Sequence, residues 1–382
     1  MDKQGLKVFI SAGETSGDLH AAAVIQTLKA RIHDADIEIS GIAGAMMKAQ
    51  GCNPVCDISE LNVMGIGDVI KALPRIRRVG KRVVAWAERE KPDVAILVDF
   101  PGFNMRLGEK LKALGIPVLY YIAPKLWAWG HWRVKRLKRA QDKLACILPF
   151  EPEWFSNQGI DSTYVGNPSA LSCQFGWSKS ELREQLGVSE NIKILALLPG
   201  SRKSELKNHA ALLANAYEKI LQKHPDIQAV TTRAPGISDE QLKPLLDVGV
   251  KMLDRLDEHY ALRADAAIAV SGTATLELAL WDVPTVLVYK SSALMIWIAR
   301  KLVGTRCAGL ANIILDDKPV MPELIQEQAS LQAIVKHILP LLEGGREAEL
   351  QHQAFIELQH RLDDYHPSHT VADIVLSMVK KN

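Results

Sequence analysis

Long apolar runs are what this 382-residue sequence most plainly lacks. The longest candidates, Val94–Val98 and Ala293–Ala299, fall far short of the roughly 18 residues a membrane-spanning helix needs. The N-terminal stretch turns polar at Ser11 before a signal-peptide core can form, so no targeting segment is expected. Cysteine is scarce, and 5 in a chain this long do not make a disulfide framework. Cys52 and Cys56 stand C-x3-C with no second Cys/His pair nearby to complete a zinc site, so structural thiols are expected. An excess of one charge is also missing: Lys+Arg 46 against Asp+Glu 44 leaves +2, and no global field demands nucleic acid. No G-x-S-x-G elbow exists, which sets serine-hydrolase chemistry aside. The 11 histidines show no spacing that singles out metal ligands or a nucleophile partner.

What is present is an alternation of short apolar runs and longer helical patterns. Leu6–Ile10, Ile37–Ile42, Val94–Val98, Ile116–Tyr121 and Leu144–Leu148 read as buried strands. Leu19–Ile32, Val79–Arg89 and Leu107–Leu114 read as amphipathic helices between them. The rhythm breaks around Gly166–Lys179, where turn residues cluster, and resumes at Ile192–Leu198, Ile227–Thr231, Ala266–Val270 and Thr285–Tyr289. Such alternation predicts α/β crossover units and parallel sheets covered on both faces. The expected organisation is two doubly wound domains, 1–168 and 169–327, facing a cleft, with a helical C-terminal tail over 328–382. Ligands of such sheets bind beyond the carboxyl ends of the strands, so the loops there carry the functional weight.

Four loops stand out. Gly13-Glu14-Thr15-Ser16-Gly17-Asp18 joins a strand to a helix and suits close approach by a polar ligand, or is a plain turn capped by Asp18. It is not G-x-G-x-x-G, and no acidic residue ends the second strand, so nicotinamide dinucleotides are disfavoured. Asp99 follows the strand Val94–Val98 and is either a helix cap or a partly desolvated base able to take a proton from an attacking hydroxyl. Pro199-Gly200-Ser201-Arg202 opens a helix whose amides, with Arg202, offer a place for a diphosphate. Ser271-Gly272-Thr273-Ala274-Thr275 repeats the device, with Glu277 on the first turns in reach of a ribose. Neither is a P-loop, and together they point to a nucleoside diphosphate.

Positive charge gathers in two places. Lys71, Arg75, Arg77, Arg78, Lys81 and Arg82 oppose Asp68 alone, interleaved with Ile66, Val69, Ile70, Leu73 and Ile76; Pro74 must start or kink a helix there. Lys125, Arg133, Lys135, Arg136, Lys138, Arg139 and Lys143 oppose Asp142, among Trp127, Trp129 and Trp132. The segment Ala293–Val303 adds Trp297 beside Arg300 and Lys301. Basic residues among apolar and Trp side chains suit docking on an anionic bilayer, while a core-facing helix with a solvated basic back is the plainer alternative. No nucleic-acid motif accompanies these runs.

Taken together, the loops are familiar. The chain resembles the lipid-A-disaccharide synthases, inverting glycosyltransferases of two Rossmann-like domains (GT-B). The resemblance rests on Gly13–Asp18, Val63-Met64-Gly65-Ile66, Asp99-Phe100-Pro101 with Phe103-Asn104, and Trp127-Ala128-Trp129. It continues through Leu148-Pro149-Phe150-Glu151, Leu198-Pro199-Gly200-Ser201-Arg202, Ser271–Glu277 and Pro322-Glu323-Leu324, in family order over most of the chain. Departures are Gly102 in place of an acidic residue, Asn167 in place of a histidine, and Ala311 in place of a proline.

The resemblance implies transfer of 2,3-diacylglucosamine from UDP-2,3-diacylglucosamine to the 6-hydroxyl of 2,3-diacylglucosamine 1-phosphate, giving a β-1,6 disaccharide and UDP. Asp99 is then the base, with no metal and no cofactor. Glu14, Ser16, Asn104, Ser201, Arg202, Ser271, Gly272, Thr273, Ala274, Thr275, Glu277 and Asn312 are the implied substrate-binding residues. Ile66, Val69, Ile70, Leu73, Arg77 and Arg78 would dock on an anionic membrane, at the cytoplasmic face of a Gram-negative inner membrane. No nucleic-acid partner is implied, and a homodimer is allowed. Two rivals share the architecture: a UDP-N-acetylglucosamine 2-epimerase, which needs no lipid-binding helices, and a non-catalytic lipid-binding relative.

Overall fold

The computed structural model describes residues 5–32, 36–61, 66–174, 176–234, 236–254, 261–291, 304–362 and 366–379. The side chains of 66–71, 172 and 254 also lie outside that description. Val63, Met64 and Gly65, the side chains of Ile66, Val69 and Ile70, and the basic segment within 293–303 are therefore outside it.

By its internal contacts the chain divides into Met1–Pro168 with Asp364–Asn382, and Ser169–Asp363. The first unit holds a seven-stranded sheet: β1 (Leu6–Ala12), β2 (Ile37–Ala43), β3 (Asn53–Asp57), β4 (Val94–Val98), β5 (Val118–Tyr121), β6 (Lys143–Cys146) and β7 (Ser162–Tyr164). Their order is β3-β2-β1-β4-β5-β6-β7. Pairing is parallel throughout, with Val8 opposite Val94 and Ala12 opposite Val98. Its crossovers include α1 (Thr15–Arg31), α2 (Ala45–Ala49), α3 (Ile66–Glu90), α4 (Pro101–Ala113), α5 (Val134–Ala140) and α6 (Glu151–Asn157). The central strands read as unbroken apolar runs because both faces are covered. Val8, Ile10, Val94, Ile96 and Val98 enter one core, while Phe9, Ala95 and Leu97 enter the core on the other face.

The second unit repeats the plan with β8 (Lys193–Leu198), β9 (Ile227–Arg233), β10 (Lys251–Asp254), β11 (Ala266–Val270), β12 (Thr285–Tyr289) and β13 (Glu323–Ile325). Their order is β10-β9-β8-β11-β12-β13, again parallel. Short helices α7 (Pro168–Cys173) and α8 (Lys179–Leu186) lead into it. They are followed by α9 (Lys203–Leu221), α10 (Asp239–Leu246), α11 (Thr273–Leu280) and α12 (Leu310–Ile314). Among the described residues beyond 328 the regular structure is helical. In it, α13 (Leu331–Leu342) and α14 (Arg346–Leu362) belong to the second unit, and Ile334 and Ile338 enter its core. The last helix, α15 (Pro367–Val379), instead brings Val371, Ala372, Val375 and Met378 into the core of the first.

All nine apolar runs read as strands are strands. Four further strands, β3, β7, β10 and β13, are not marked by such runs, and they are the four edges of the two sheets. An edge strand is short and only partly buried, so it carries no continuous apolar run to betray it.

Candidate functional site

In each sheet the strand order reverses between two neighbours, β1 and β4 in the first and β8 and β11 in the second. The crossovers leaving those neighbours run to opposite sides, which opens a crevice at the carboxyl ends of the strands. The four loops singled out in the sequence are the four loops at these two switch points.

In the first unit the loop after β1 is Gly13–Glu14 and the loop after β4 is Asp99–Phe100. A Cβ at Gly13 would sit 2.1 Å from the Phe100 ring, so only glycine lets these loops close on each other. Asp99 and Phe100 both adopt left-handed backbone, φ 45° and 47°, a conformation that costs non-glycine residues free energy and persists only where the surroundings enforce it. Hydrogen bonds to both sides of the Asp99 peptide enforce it. The Asp99 amide donates to the Tyr121 carbonyl at 2.9 Å, and the Asp99 carbonyl accepts from Asn104 Nδ2 at 2.9 Å and the Tyr120 hydroxyl at 2.7 Å. Asn104 Nδ2 also reaches the Val98 carbonyl at 3.0 Å, and Ser11 Oγ donates to Asn104 Oδ1 at 2.8 Å. Asn104 is fully buried, so it clamps the turn from beneath.

The Asp99 carboxyl is half-buried at the rim. Burial raises its pKa, the nearby Glu14 charge raises it further, and Lys125 and the Phe100 amide pull it back. A carboxylate of raised basicity beside a cation suits proton abstraction. Lys125 lies after β5, and its own pKa is lowered by the protein packed around its ammonium, against the charges of Glu151 and Asp99. The residue as a whole remains exposed.

Glu151, at the start of α6 after β6, ends the Leu148-Pro149-Phe150-Glu151 motif, and the sequence assigns it no role. It is buried, accepting from Trp127 Nε1 at 2.9 Å and from the amides of Ile147 and Leu148 at 3.1 Å each. Burial pushes its pKa up to about 7 against those hydrogen bonds and Lys125. The Leu-Pro-Phe-Glu spelling held the signal, since an acid two residues past a proline at a strand's end is placed to cap a helix start.

Glu14 and Ser16 are exposed on the entry to α1. Asp18 does not cap its own helix. Buried, it accepts from the amides of Gly44, Met46 and Met47 and so caps α2. Asn167 is buried and donates to the Ile147 carbonyl at 3.1 Å. At Gly102 a Cβ would meet nothing within 4 Å, so the fold leaves room for a side chain there. On α3, which runs through Pro74, Ala72, Val79, Val83 and Ala87 face the core, Leu73 is half-buried, and Arg77 and Arg78 are exposed. Among the described residues no helix is long and apolar enough to cross a membrane.

In the second unit, Gly200 takes φ 111° between β8 and α9, where a Cβ would meet the Glu205 side chain. Glu205 Oε2 accepts from the amides of Ser201 at 2.9 Å and Arg202 at 3.2 Å, and Oε1 accepts from Arg202 Nη1 at 2.9 Å. The donors expected to meet a diphosphate are thus held by a carboxylate of the chain itself, while the Arg202 side chain stays 74% exposed. Beneath them His209 is buried, its Nε2 accepting from the Lys290 amide at 2.7 Å and its Nδ1 2.7 Å from the Glu205 carbonyl. A cavity of about 400 Å³ lies beside it, lined by Asn208, Lys290, Ser291, Gln326 and Glu327.

After β11, Ser271 Oγ donates to the Ala308 carbonyl at 3.0 Å and Thr275 Oγ1 to the Gly272 carbonyl at 2.8 Å. Gly272 and Thr273 are exposed, Ala274 and Glu277 half-buried, and Thr275 buried. Asn312 is fully buried. Its Nδ2 donates to the Met321 carbonyl at 2.9 Å and Glu323 Oε1 at 2.8 Å, and its Oδ1 accepts from the Met321 amide at 2.9 Å. Asn104, Thr275 and Asn312 shape their loops, whereas Glu14, Asp99, Arg202 and Thr273 present chemistry to solvent.

Comparison with known proteins fits this geometry. A model of the lipid-A-disaccharide synthetase family matches residues 8–375. A lipid-A-disaccharide synthase of Myxococcus xanthus is 35% identical over 376 residues, covering 98% of this chain and 97% of its own. One of Nitrosococcus oceani is 36% identical over 384 residues, covering 100% and 98%. Among solved structures, MurG of Acinetobacter baumannii superposes with TM-score 0.59 at 16% identity over 98% of this chain and 99% of that one. A UDP-N-acetylglucosamine 2-epimerase described from Listeria monocytogenes gives 0.64 at 13%, covering 99% and 96%. At such identities these structures show a shared GT-B-like fold and nothing finer.

Proposed function

Because the chain belongs to the lipid-A-disaccharide synthetase family, and so is a glycosyltransferase of lipid A biosynthesis using a UDP-sugar and a lipid-linked sugar phosphate, we propose how its residues divide the work. The donor is UDP-2,3-diacylglucosamine and the acceptor 2,3-diacylglucosamine 1-phosphate. Asp99 takes the proton of the acceptor 6-hydroxyl as that oxygen attacks the donor's anomeric carbon. The bond from that carbon to the UDP oxygen breaks, configuration inverts, and UDP leaves with the electron pair. The observation that carries this reading is the strained Asp99–Phe100 turn at the β1/β4 switch point, whose carboxyl is made more basic by burial and by Glu14.

Arg202 and the amides after Pro199 stabilise the charge that grows on departing UDP. Ser271, Gly272, Thr273 and Ala274 take phosphate oxygens, and Glu277 takes the ribose. Because Glu205 now occupies the Ser201 and Arg202 amides, binding a diphosphate requires that carboxylate to give way. Asn104 serves from behind by holding the Asp99 turn, and Asn312 by holding Glu323, whose carboxylate accepts from the Ala308 and Gly309 amides at 2.8 and 2.9 Å. The protein docks on the cytoplasmic leaflet through the α3 entry, from Ile66, Val69, Ile70 and Leu73 to Arg77 and Arg78.

The test is product analysis. Purified protein with the two defined diacylated substrates should yield the disaccharide 1-phosphate and one UDP per turnover, by mass spectrometry. UDP or an epimerised UDP-sugar formed without the acceptor would instead select the epimerase reading.

A further inference from the structure

Beside Asp99 the first unit carries a cavity of about 410 Å³ that the division of labour above leaves unused. Arg106 of α4 and Arg133, Lys135, Arg136 and Arg139 of the following segment line it, with Trp132 at its rim. Five cations converge there. Among the described residues Glu109 is the carboxylate that answers them, meeting Arg136 at 3.3 Å and Arg139 at 2.7 Å. The Arg136 atom that meets Glu109 is its buried Nε, which faces the carboxylate without hydrogen-bond geometry. The Arg133 guanidinium lies 5.7 Å above the Trp129 ring, and Trp129 and Trp132 are 47% and 64% exposed. Burial lowers the Arg133 pKa, Tyr120 opposes that, and the like charges of Arg136 and Arg106 lower it further.

We propose that this cavity is a phosphomonoester subsite that receives the 1-phosphate of the acceptor while Asp99 meets the 6-hydroxyl of the same sugar. The placement supports it. Pro101, two residues past Asp99, forms part of the cavity wall, and Tyr120, which donates to the Asp99 carbonyl, feels the charges of both Asp99 and Arg133. The phosphate on C1 and the attacking hydroxyl on C6 hang from the two carbons that flank the oxygen of one pyranose ring, so a phosphate anchored among the arginines fixes where the hydroxyl can reach the carboxylate. Converging guanidinium groups suit a dianionic phosphate, whose oxygens accept forked, charge-assisted hydrogen bonds. A surface made only for lipid headgroups would need no such wall around its cations. The proposal rests on the acceptor assigned above, and its test separates the two.

Kinetics with acceptor and with its dephosphorylated analogue, for wild type, Arg106→Ala and Arg133→Gln, decide it. Wild type should show a KM for the dephosphorylated acceptor raised about 10–100-fold, the scale of one or two charge-assisted hydrogen bonds. The variants should show the same rise on the phosphorylated acceptor, no further rise on the analogue, and an unchanged KM for the UDP-sugar. Equal losses on both acceptors would overturn the proposal. So would an unchanged acceptor KM with loss of pelleting on phosphatidylglycerol vesicles, which would make the patch a headgroup site. Glucosamine 1-phosphate should also quench tryptophan fluorescence in wild type, but not in Trp132→Phe or Arg133→Gln, and glucosamine should not. Inorganic phosphate giving the same quench with no competition against acceptor would mean an adventitious anion only. If wild type makes no disaccharide, the assigned reaction fails, and the fluorescence titration still decides the cavity.

Discussion

At Asp99 the balance of neighbouring charge sets the protonation state, and each neighbour gives a signed expectation. A base acts when deprotonated, so activity rises with pH through its pKa. Lys125→Met removes a cation that lowers that pKa, so the acidic limb of kcat/KM should move to higher pH; Glu14→Gln should move it lower. A limb that ignores both substitutions would separate Asp99 from the proton transfer. Glu151 gives a stability effect instead. Its carboxyl titrates near 7 when folded against an ordinary 4.5, so between those pH values the native chain holds a proton that the unfolded chain has lost. Stability therefore falls as pH rises through that window, by about 3 kcal/mol in total. Glu151→Gln should lose less stability than wild type between pH 5 and pH 8 in urea titrations. Asp99 was legible in the sequence because it follows an unmistakable apolar strand. Glu151 and Glu205 each accept from amides three and four residues before them, a spacing the sequence does spell; what spacing does not encode is burial, which sets the protonation of Glu151.

The elements repeat that division between what periodicity carries and what it does not. Strands buried on both faces, such as Val94–Val98 and Ala266–Val270, need continuous apolar residues and so declare themselves. β3, with Asn53 and Pro54 exposed, and β7, reading Ser-Thr-Tyr, are edges and do not. Their absence from the reading leaves the switch points unaffected, since those lie between central strands. The helix start of α9 shows what elements add beyond pattern: Glu205 satisfies the amides that a diphosphate would use. Glu205→Gln should tighten UDP binding several-fold by calorimetry while lowering thermal stability by the roughly 1 kcal/mol of a lost cap. Weaker UDP binding in that variant would mean that Glu205 assists the nucleotide rather than competing with it.

Over the whole molecule, two sheets built on one plan each present their functional loops where strand order reverses, and the acyl chains of the substrates require access to lipid. Replacing Ile66, Val69, Ile70 and Leu73 by serine should shift the protein from membrane pellet to supernatant. Unchanged pelleting in low and high salt would assign α3 to another role. The last helix ties the chain's end to its beginning, since Val371, Val375 and Met378 share a core with Val24, Ile25 and Leu28 of α1. At about 1.5–3 kcal/mol per buried side chain, removing residues 366–382 should cost the first unit several kcal/mol. The most direct measurement is turnover and UDP affinity of Asp99→Asn side by side. Turnover should fall by about 10²–10⁴ with UDP binding nearly intact; near-wild-type turnover would contradict Asp99 as the base.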